Sequence, residues 1–118
     1  MITKEDRIFI TGGSGFIGTN LIDLFMKKGY DFINLDKAEP IKKDQISYWV
    51  KGNIVNMADL ESVFSKYHPT LVIHLAARTD TLSTDIKDYS ENTQGSKNII
   101  DIVKKYSCVR HLIMTSKI

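Results

Sequence analysis

Short runs of apolar, β-branched residues alternate along the chain with segments in which apolar residues recur at helical spacing. The run RIFIT at 7–11 predicts a first strand, and a helix follows after a glycine-rich turn. That helix is predicted to end at Gly29, a typical residue at a helix C-terminus. Its predicted inward-facing residues are Ile17, Leu21, Leu24 and Phe25. A second strand over 32–35 ends at Asp36.

The second half of the chain repeats this alternation. Ile46, Tyr48 and Val50 occupy alternate positions and predict a third strand. Asn56 is a good N-cap for a helix with one apolar face. That face carries Leu60, Val63, Phe64 and Tyr67. The run LVIHL at 71–75 is continuously apolar, as in a buried parallel strand, and a helix over 91–106 and a strand over 112–114 follow.

Alternation of strands and helices at this spacing predicts an α/β fold. We expect a doubly wound parallel sheet of about five strands, with helices on both faces and right-handed crossovers. Such sheets bind ligands beyond the carboxyl ends of their strands, at the point where the winding direction reverses. The glycine-rich turn follows the first strand and is therefore predicted to lie beside that crevice.

Composition indicates one ordinary globular domain. The chain has 118 residues, of which 42% are hydrophobic and 25% charged, and its net charge of +2 does not indicate nucleic acid or a membrane surface as a partner. The single cysteine, Cys108, excludes an internal disulfide framework. The amino-terminal segment does not resemble a signal peptide, and no apolar run approaches the roughly 20 residues of a membrane span. We expect a cytoplasmic protein.

Residues 11–18 read TGGSGFIG, with four glycines in eight positions. The spacing fits G-x-G-x-x-G through Gly13, Gly15 and Gly18, and also G-x-x-G-x-x-G through Gly12, Gly15 and Gly18. Either pattern alone is weak, but a position between a strand and a helix is what a dinucleotide-binding site requires. No Lys-Ser/Thr pair follows the last glycine, so the turn is not a Walker A loop. A turn that serves packing alone is the alternative.

In a dinucleotide site each part of this turn has a physical role. The early glycines permit a tight turn, Gly15 lets the backbone approach a pyrophosphate, and Gly18 lets the helix pack closely on the strand. The backbone amides near Phe16 and Ile17 then face the phosphates, together with the positive end of the helix dipole.

Asp36 closes the second strand 18 residues after Gly18, near the offset of about 20 expected for an acid that binds the adenosine ribose. A carboxylate there accepts hydrogen bonds from ribose hydroxyls and repels a 2′-phosphate, which favours NAD over NADP. The neighbouring cation of Lys37 softens that repulsion. An ordinary turn-forming aspartate is the alternative interpretation.

These motifs resemble the amino-terminal part of the extended short-chain dehydrogenases/reductases, specifically the NAD-dependent epimerase/dehydratase group that acts on nucleotide sugars. TGGSGFIG stands where that family has TGxxGFIG, and the resemblance implies a Rossmann-type fold over residues 1–118. Further matching segments lie along the whole chain. They are GNI at 52–54, VIHLAA at 72–77, NTQGSKN at 92–98 and LIMTS at 112–116.

The resemblance implies roles for residues beyond the glycine turn. The side-chain oxygen of Asn53 would meet the adenine amino group, and the backbone amide of Ile54 would meet a ring nitrogen. The nicotinamide-side ribose and the pyrophosphate would be lined by Leu75, Ala76 and Ala77. His74 has no catalytic duty in this family and is predicted to be structural.

Four further candidates follow from the same resemblance. Arg78 lies at the rim of the crevice, where it either approaches a phosphate or stays in solvent. Asn92 occupies a helix position that touches the active-site backbone in the family. Thr115 and Ser116 are candidates for nicotinamide-side contacts, and one of two possible alignments places Ser116 at the catalytic serine.

The family's proton-transferring Tyr-x-x-x-Lys is absent from the chain. The residues four positions after its five tyrosines are Asn34, Gly52, Leu71, Thr93 and Arg110. In the family this dyad and the substrate-binding region lie beyond the last strand predicted here, so the chain is truncated relative to the family. We therefore expect NAD binding without catalytic competence in these 118 residues, with a nucleotide sugar bound only by a full-length form.

Three interpretations stay open. The chain is the cofactor-binding part of an epimerase or dehydratase, a non-catalytic NAD(P)-sensing module that acts through a protein partner, or a remnant that binds no cofactor. A sheet that stops after its fifth strand leaves an unpaired edge and uncovered apolar surface, so we also expect self-association.

Overall fold

The computed structural model describes residues 2–75 and 86–114, with side chains for 2–75 and 94–114. Five strands alternate with three α-helices, and a 3₁₀ helix at Lys43–Tyr48 precedes the third strand. The strands are β1 (Arg7–Thr11), β2 (Asp31–Asp36), β3 (Trp49–Lys51), β4 (Leu71–His74) and β5 (His111–Met114). The helices are α1 (Phe16–Lys28), α2 (Met57–Tyr67) and α3 (Ile86–Lys105).

The strands form one parallel sheet in the order β3-β2-β1-β4-β5. The chain moves outward from β1 to β3 and then returns past β1 to β4, so the winding direction reverses between β1 and β4. This Rossmann-type architecture confirms the fold class predicted from the sequence. It also places the turn after β1 at the switch point, where doubly wound sheets bind ligands.

Apolar side chains cover both faces of the sheet, as a parallel sheet requires. One core cluster packs α2 and α3 on the sheet and includes Phe9, Phe64 and Ile99. The other packs α1 on the opposite face and includes Ile8, Ile22 and Phe32. Ile8, Phe9 and Ile10 are all buried, so consecutive residues of β1 contribute to opposite cores.

The predicted inward face of α1 is wrong in part. Ile17 and Leu24 are 60% and 46% exposed, whereas the helix buries Gly18, Ile22 and Phe25, at spacing i, i+4 and i+7. A small residue leads this face because the first turn of α1 packs directly on the backbone of the glycine turn. Apolar periodicity alone does not reveal a helix face that begins with glycine.

The predicted third strand is also wrong in its first half. The alternating residues Ile46 and Tyr48 lie in the 3₁₀ helix, and β3 is only three residues long. The fully buried Gln45 fixes this helix against α1, because its Nε2 donates to the Thr19 carbonyl oxygen at 3.0 Å and to Asp23 Oδ1 at 2.9 Å. The ring of Tyr48 stacks on Phe32 instead of extending a strand.

The remaining predicted elements are confirmed with shifted ends. The Asn56 side chain caps α2 by accepting a hydrogen bond from the Ala58 amide at 3.0 Å. Helix α3 begins at Ile86, five residues before the predicted start, and β5 begins one residue earlier than predicted. Among the described residues, no helix is long and apolar enough to cross a membrane.

Candidate functional site

The glycine turn is held between β1 and β2 by backbone and side-chain hydrogen bonds. Gly12 has a φ of 73°, in the left-handed region that favours glycine, and its amide donates to the Leu35 carbonyl oxygen at 3.1 Å. The Gly13 amide donates to Asn34 Oδ1 at 2.8 Å, and Asn34 Nδ2 donates to Ser14 Oγ at 3.2 Å. The path of the turn is therefore set by β2 as much as by the glycines.

Three of the four glycines are required by the protein itself. A Cβ on Gly13 would lie 2.5 Å from Asn34 Oδ1, and a Cβ on Gly18 would lie 2.4 Å from the Gly13 Cα, while Gly12 has its positive φ. Gly15 differs, because its Cβ would meet only the Gly12 carbonyl oxygen, at 3.8 Å. Gly15 belongs to both spacing patterns, and it is the glycine with room for a ligand beside it.

Helix α1 begins at this open position without a side-chain cap. Its N-cap is Gly15, and the Thr19 amide is the donor that reaches back to the Gly15 carbonyl oxygen, at 2.8 Å. The amides of the first turn, including those of Phe16 and Ile17, have no acceptor within the helix. The side chains of Phe16 and Ile17 are 81% and 60% exposed. Amides without an acceptor in the helix and the positive end of a 13-residue helix suit a phosphate group.

Asp36 lies at the end of β2 beside this turn, as predicted. Its Oδ2 accepts a hydrogen bond from the Ser14 amide at 3.0 Å, and its Oδ1 accepts one from the Ala38 amide at 3.1 Å. Each carboxylate oxygen has two lone pairs, so both can accept a further donor. Asp36 therefore positions the turn and keeps acceptor capacity for a hydroxyl. The exposed Lys37 follows it directly.

Asn53 and Ile54 follow β3 at the same carboxyl edge of the sheet. Asn53 Oδ1 accepts from the Val55 amide at 3.0 Å, and the Asn53 amide donates to Asp59 Oδ2 at 2.9 Å. The predicted adenine-binding oxygen of Asn53 thus already supports its own loop, with one lone pair left.

Helix α3 contacts this loop through the segment NTQGSKN. A Cβ on Gly95 would lie 2.3 Å from Ile54 Cδ1, so the glycine allows α3 to approach the loop closely. Asn98 Nδ2 donates to the carbonyl oxygens of Ile54 and Val55, each at 2.9 Å.

The matching segment NTQGSKN contains Gly95 and Asn98, but the sequence predicted no role for either residue. Asn34 was not predicted as a site residue. A polar residue in the middle of the apolar strand FINLD was the available signal for Asn34.

His74 is buried at the end of β4 and joins three elements. Its Nδ1 lies 2.6 Å from Thr11 Oγ1 on β1, and its Nε2 lies 3.1 Å from Ser96 Oγ on α3. Burial lowers the pKa of this imidazole, which favours its neutral form. These contacts support the predicted structural role.

Several candidates lie outside the described residues or side chains. Leu75 is half-buried at the end of β4, and its amide donates to the Thr11 carbonyl oxygen at 2.8 Å. Ala76, Ala77, Arg78, Thr115 and Ser116, and the side chain of Asn92, are not among the described parts. Within the described part the turn follows β1, Asp36 ends β2, and Asn53 and Ile54 follow β3. The carboxyl ends of these three parallel strands share one edge of the sheet.

Comparison with known proteins gives the same assignment. Residues 8–117 match the model of the family described as "NAD dependent epimerase/dehydratase family". CDP-paratose 2-epimerase of Salmonella typhi is 29% identical over 122 residues, which cover 93% of this chain and 36% of that protein.

Two solved structures share the fold. The dTDP-glucose 4,6-dehydratase of Bacillus anthracis, in complex with NAD, superposes with a TM-score of 0.80 at 29% identity and covers 94% of this chain. The UDP-glucose 4-epimerase of Thermotoga maritima, with UDP-glucose, gives a TM-score of 0.81 at 28% identity and covers 93%. The chain spans 37% of each of these proteins, a little over a third. It belongs to the NAD-dependent epimerase/dehydratase family.

Proposed function

We propose that these 118 residues form one NAD-binding domain, the cofactor-binding part of a nucleotide-sugar epimerase or dehydratase. The observation that carries this proposal is the open space at Gly15 beside the uncapped amino terminus of α1. The neighbouring glycines are explained by packing within the protein, whereas the lack of a side chain at Gly15 is explained by a ligand. The family and the NAD complex of the related dehydratase support NAD as that ligand.

Different site residues contact different parts of the dinucleotide. The amides of Phe16 and Ile17 bind the pyrophosphate, and Asp36 accepts from the adenosine ribose. The Ile54 amide and Asn53 contact the adenine. On the nicotinamide side we place Leu75, Ala76 and Ala77, with Arg78, Asn92 and Thr115 nearby.

When bound, NAD would supply hydride transfer to and from the sugar of an epimerase or dehydratase. The chain itself has no tyrosine followed four residues later by lysine, the pair that moves the proton in this family. Ser116 is our candidate for a hydrogen bond to the reacting hydroxyl. We therefore assign binding and orientation of the cofactor to this chain, and proton transfer and sugar recognition to a full-length form.

Asp36 is the residue that would select NAD over NADP, because a 2′-phosphate would meet its carboxylate. We expect the wild-type chain to bind NAD at least about tenfold more tightly than NADP, a difference of about 1.4 kcal/mol. Asp36→Ala should weaken NAD binding and bring the ratio of the two affinities close to one. Because this substitution also removes the acceptor for the Ser14 amide, the ratio is the informative quantity and not the NAD affinity alone.

Asp31→Ala is the matched control, since Asp31 begins the same strand and contacts Tyr67 at the opposite edge of the sheet. Its ratio of NAD to NADP affinity should equal that of the wild type. An unchanged ratio in Asp36→Ala would contradict this assignment.

We also propose that the chain self-associates through β5. This strand forms one edge of the described sheet, and its side chains Ile113 and Met114 are exposed. Unpaired edge strands with apolar side chains favour pairing with another chain.

A further inference from the structure

Four of the five backbone amides in the loop after β3, residues 52–56, donate hydrogen bonds within the protein. The Gly52 amide donates to the Asp36 carbonyl oxygen, and the Asn53 amide donates to Asp59 Oδ2. The Val55 amide donates to Asn53 Oδ1, and the Asn56 amide donates to the Asn53 carbonyl oxygen. The fifth amide, that of Ile54, donates to no acceptor in the described part of the chain. Ile54 is half-buried, and among the described residues its amide is the one backbone donor of this loop that stays available to a ligand.

The two carbonyl groups that follow this free amide are both held by one side chain. Asn98 Nδ2 donates to the Ile54 and Val55 carbonyl oxygens at 2.9 Å each, and Asn98 is only 5% exposed. Gln94 Nε2 donates to Asn98 Oδ1 at 2.9 Å, which fixes the side-chain amide with its NH₂ group toward the loop. Asn98 therefore uses both of its N–H donors on the loop and orients the peptide units 54–55 and 55–56, directly after the unit 53–54 that carries the free amide.

Close approach of α3 makes this clamp possible. Gly95 lies one helical turn before Asn98, and the Ile54 side chain occupies the space that a Cβ on Gly95 would need. One helix face thus supports the loop both through packing and through hydrogen bonds.

We propose that Asn98 is a positioning residue for the adenine end of the dinucleotide: its clamp on Ile54 and Val55 holds the free Ile54 amide in the place where it recognises the base. The proposal rests on the proposed NAD-binding function. Asn98 touches no ligand, because its two donors and its oxygen are bound to the protein. Its effect on binding passes through the loop.

Base selectivity is the property that separates positioning from mere stabilisation. Adenine offers an amino donor and an unprotonated ring nitrogen next to it, which suit the Asn53 oxygen and the Ile54 N–H. Hypoxanthine reverses both groups, since it has a carbonyl and a ring N–H at these positions. A rigid loop therefore favours adenine, whereas a loop that can rotate its peptide units loses the preference.

The test is the ratio of affinities for NAD and nicotinamide hypoxanthine dinucleotide, measured by titration calorimetry. We expect the wild type to prefer NAD by about tenfold or more, because hypoxanthine loses both hydrogen bonds and forms one acceptor–acceptor and one donor–donor contact instead. Asn98→Ala and the isosteric Asn98→Asp, which lacks both donors, should reduce the preference to about threefold or less. Asn98→Asp keeps the test valid if the cavity in Asn98→Ala prevents folding.

Thr70→Val is the matched control. Thr70 binds Asp6 and the Arg7 amide at the amino edge of the sheet, so its loss should lower stability and leave base preference unchanged. A full preference for NAD in folded Asn98→Asp would overturn this inference while leaving the proposed function intact. Failure of the folded wild type to bind either dinucleotide would instead overturn the proposed function, and this inference with it.

Discussion

A Cβ on Gly18 would lie 2.4 Å from the Gly13 Cα, whereas a Cβ on Gly15 would lie 3.8 Å from its nearest neighbour. At the first distance the added Cβ clashes with backbone atoms that cannot move aside, whereas the second distance is an ordinary van der Waals contact. Gly15 also has φ −81° and ψ −175°, an extended conformation that alanine adopts freely. Packing therefore explains the glycine at position 18 but not the one at position 15, which the proposed function explains by ligand binding.

Gly18→Ala should lower the free energy of unfolding by about 1–3 kcal/mol, the usual cost of forcing extra volume into a packed site. Gly15→Ala should stay within about 0.5 kcal/mol of the wild type, because it adds a methyl group to open space. Urea denaturation of the three proteins measures both values. Equal losses in the two variants would show that Gly15 is also a packing residue.

Residue types and spacing were enough to predict the glycine turn between β1 and α1 and the position of Asp36 at the end of β2, and the family resemblance predicted a structural role for His74. They did not predict Asn34, although it holds both Gly13 and Ser14. The bonds from Asn34 cross from one strand to the turn after another, 20 and 21 residues apart in sequence. Such hydrogen bonds can be predicted only when the register of β1 and β2 is known.

Three elements are tied together at the amino edge of the sheet, opposite the candidate site. Asp6, immediately before β1, accepts from the Thr3 amide at 3.0 Å and from Thr70 Oγ1 at 2.9 Å, and it forms an ion pair with Arg110. Thr70 and Arg110 directly precede β4 and β5. Asp6 is buried, so its charge depends on these neighbours for stabilisation.

These contacts predict a specific loss of stability in acid. The Thr3 amide, together with Thr70 and Arg110 and against the effect of burial, lowers the pKa of Asp6 from 3.8 to about 2. A lowered folded-state pKa stabilises the fold above pH 3.8, and this stabilisation is lost as the pH falls from 3.8 toward 2. The shift corresponds to about 2 kcal/mol. Asp6→Asn should lose about this amount at pH 7.

The measurement is the free energy of unfolding at pH values from 7 to 2. Asp6→Asn should show a smaller decline than the wild type between pH 4 and 2, because its side chain does not titrate. Glu5→Gln, at the exposed neighbouring position, should follow the wild type. Parallel pH curves for Asp6→Asn and the wild type would contradict the role given to this carboxylate.

At the level of elements the periodic segments were predictable, and the irregular one was not. The capped helix α2 and the apolar strand β4 have local signals that agree with their environment. The alternation at 46–50 suggested a strand, but the buried Gln45 ties this segment to Thr19 and Asp23 in α1. Two tertiary hydrogen bonds from one glutamine outweighed a weak local preference for a strand.

At the level of the whole molecule, the feature with a testable consequence is the exposed apolar surface at β5. Ile113 is 47% exposed, and a cavity of about 370 Å³ next to the strand is lined in part by Ile2, Leu71 and Leu112. If this edge pairs with a second copy, the weight-average mass in sedimentation velocity should rise with protein concentration. Ile113→Lys should keep the chain monomeric, since a charge on an edge strand opposes pairing.

Ile41→Lys is the control for that experiment, because Ile41 is equally apolar and more exposed but lies in the loop after β2. It should self-associate like the wild type. A wild-type chain that stays monomeric at every concentration would refute the proposed edge pairing.

Calorimetric titration of the wild type and of Gly15→Ala with NAD tests the central claim most directly. We predict micromolar binding by the wild type and a loss of at least about tenfold in Gly15→Ala at unchanged stability, because the added methyl group occupies the space of the pyrophosphate. Equal NAD affinity in the two proteins would show that the cofactor does not lie on the glycine turn. An absence of binding heat from the folded wild type would contradict the assignment of these residues as an NAD-binding domain.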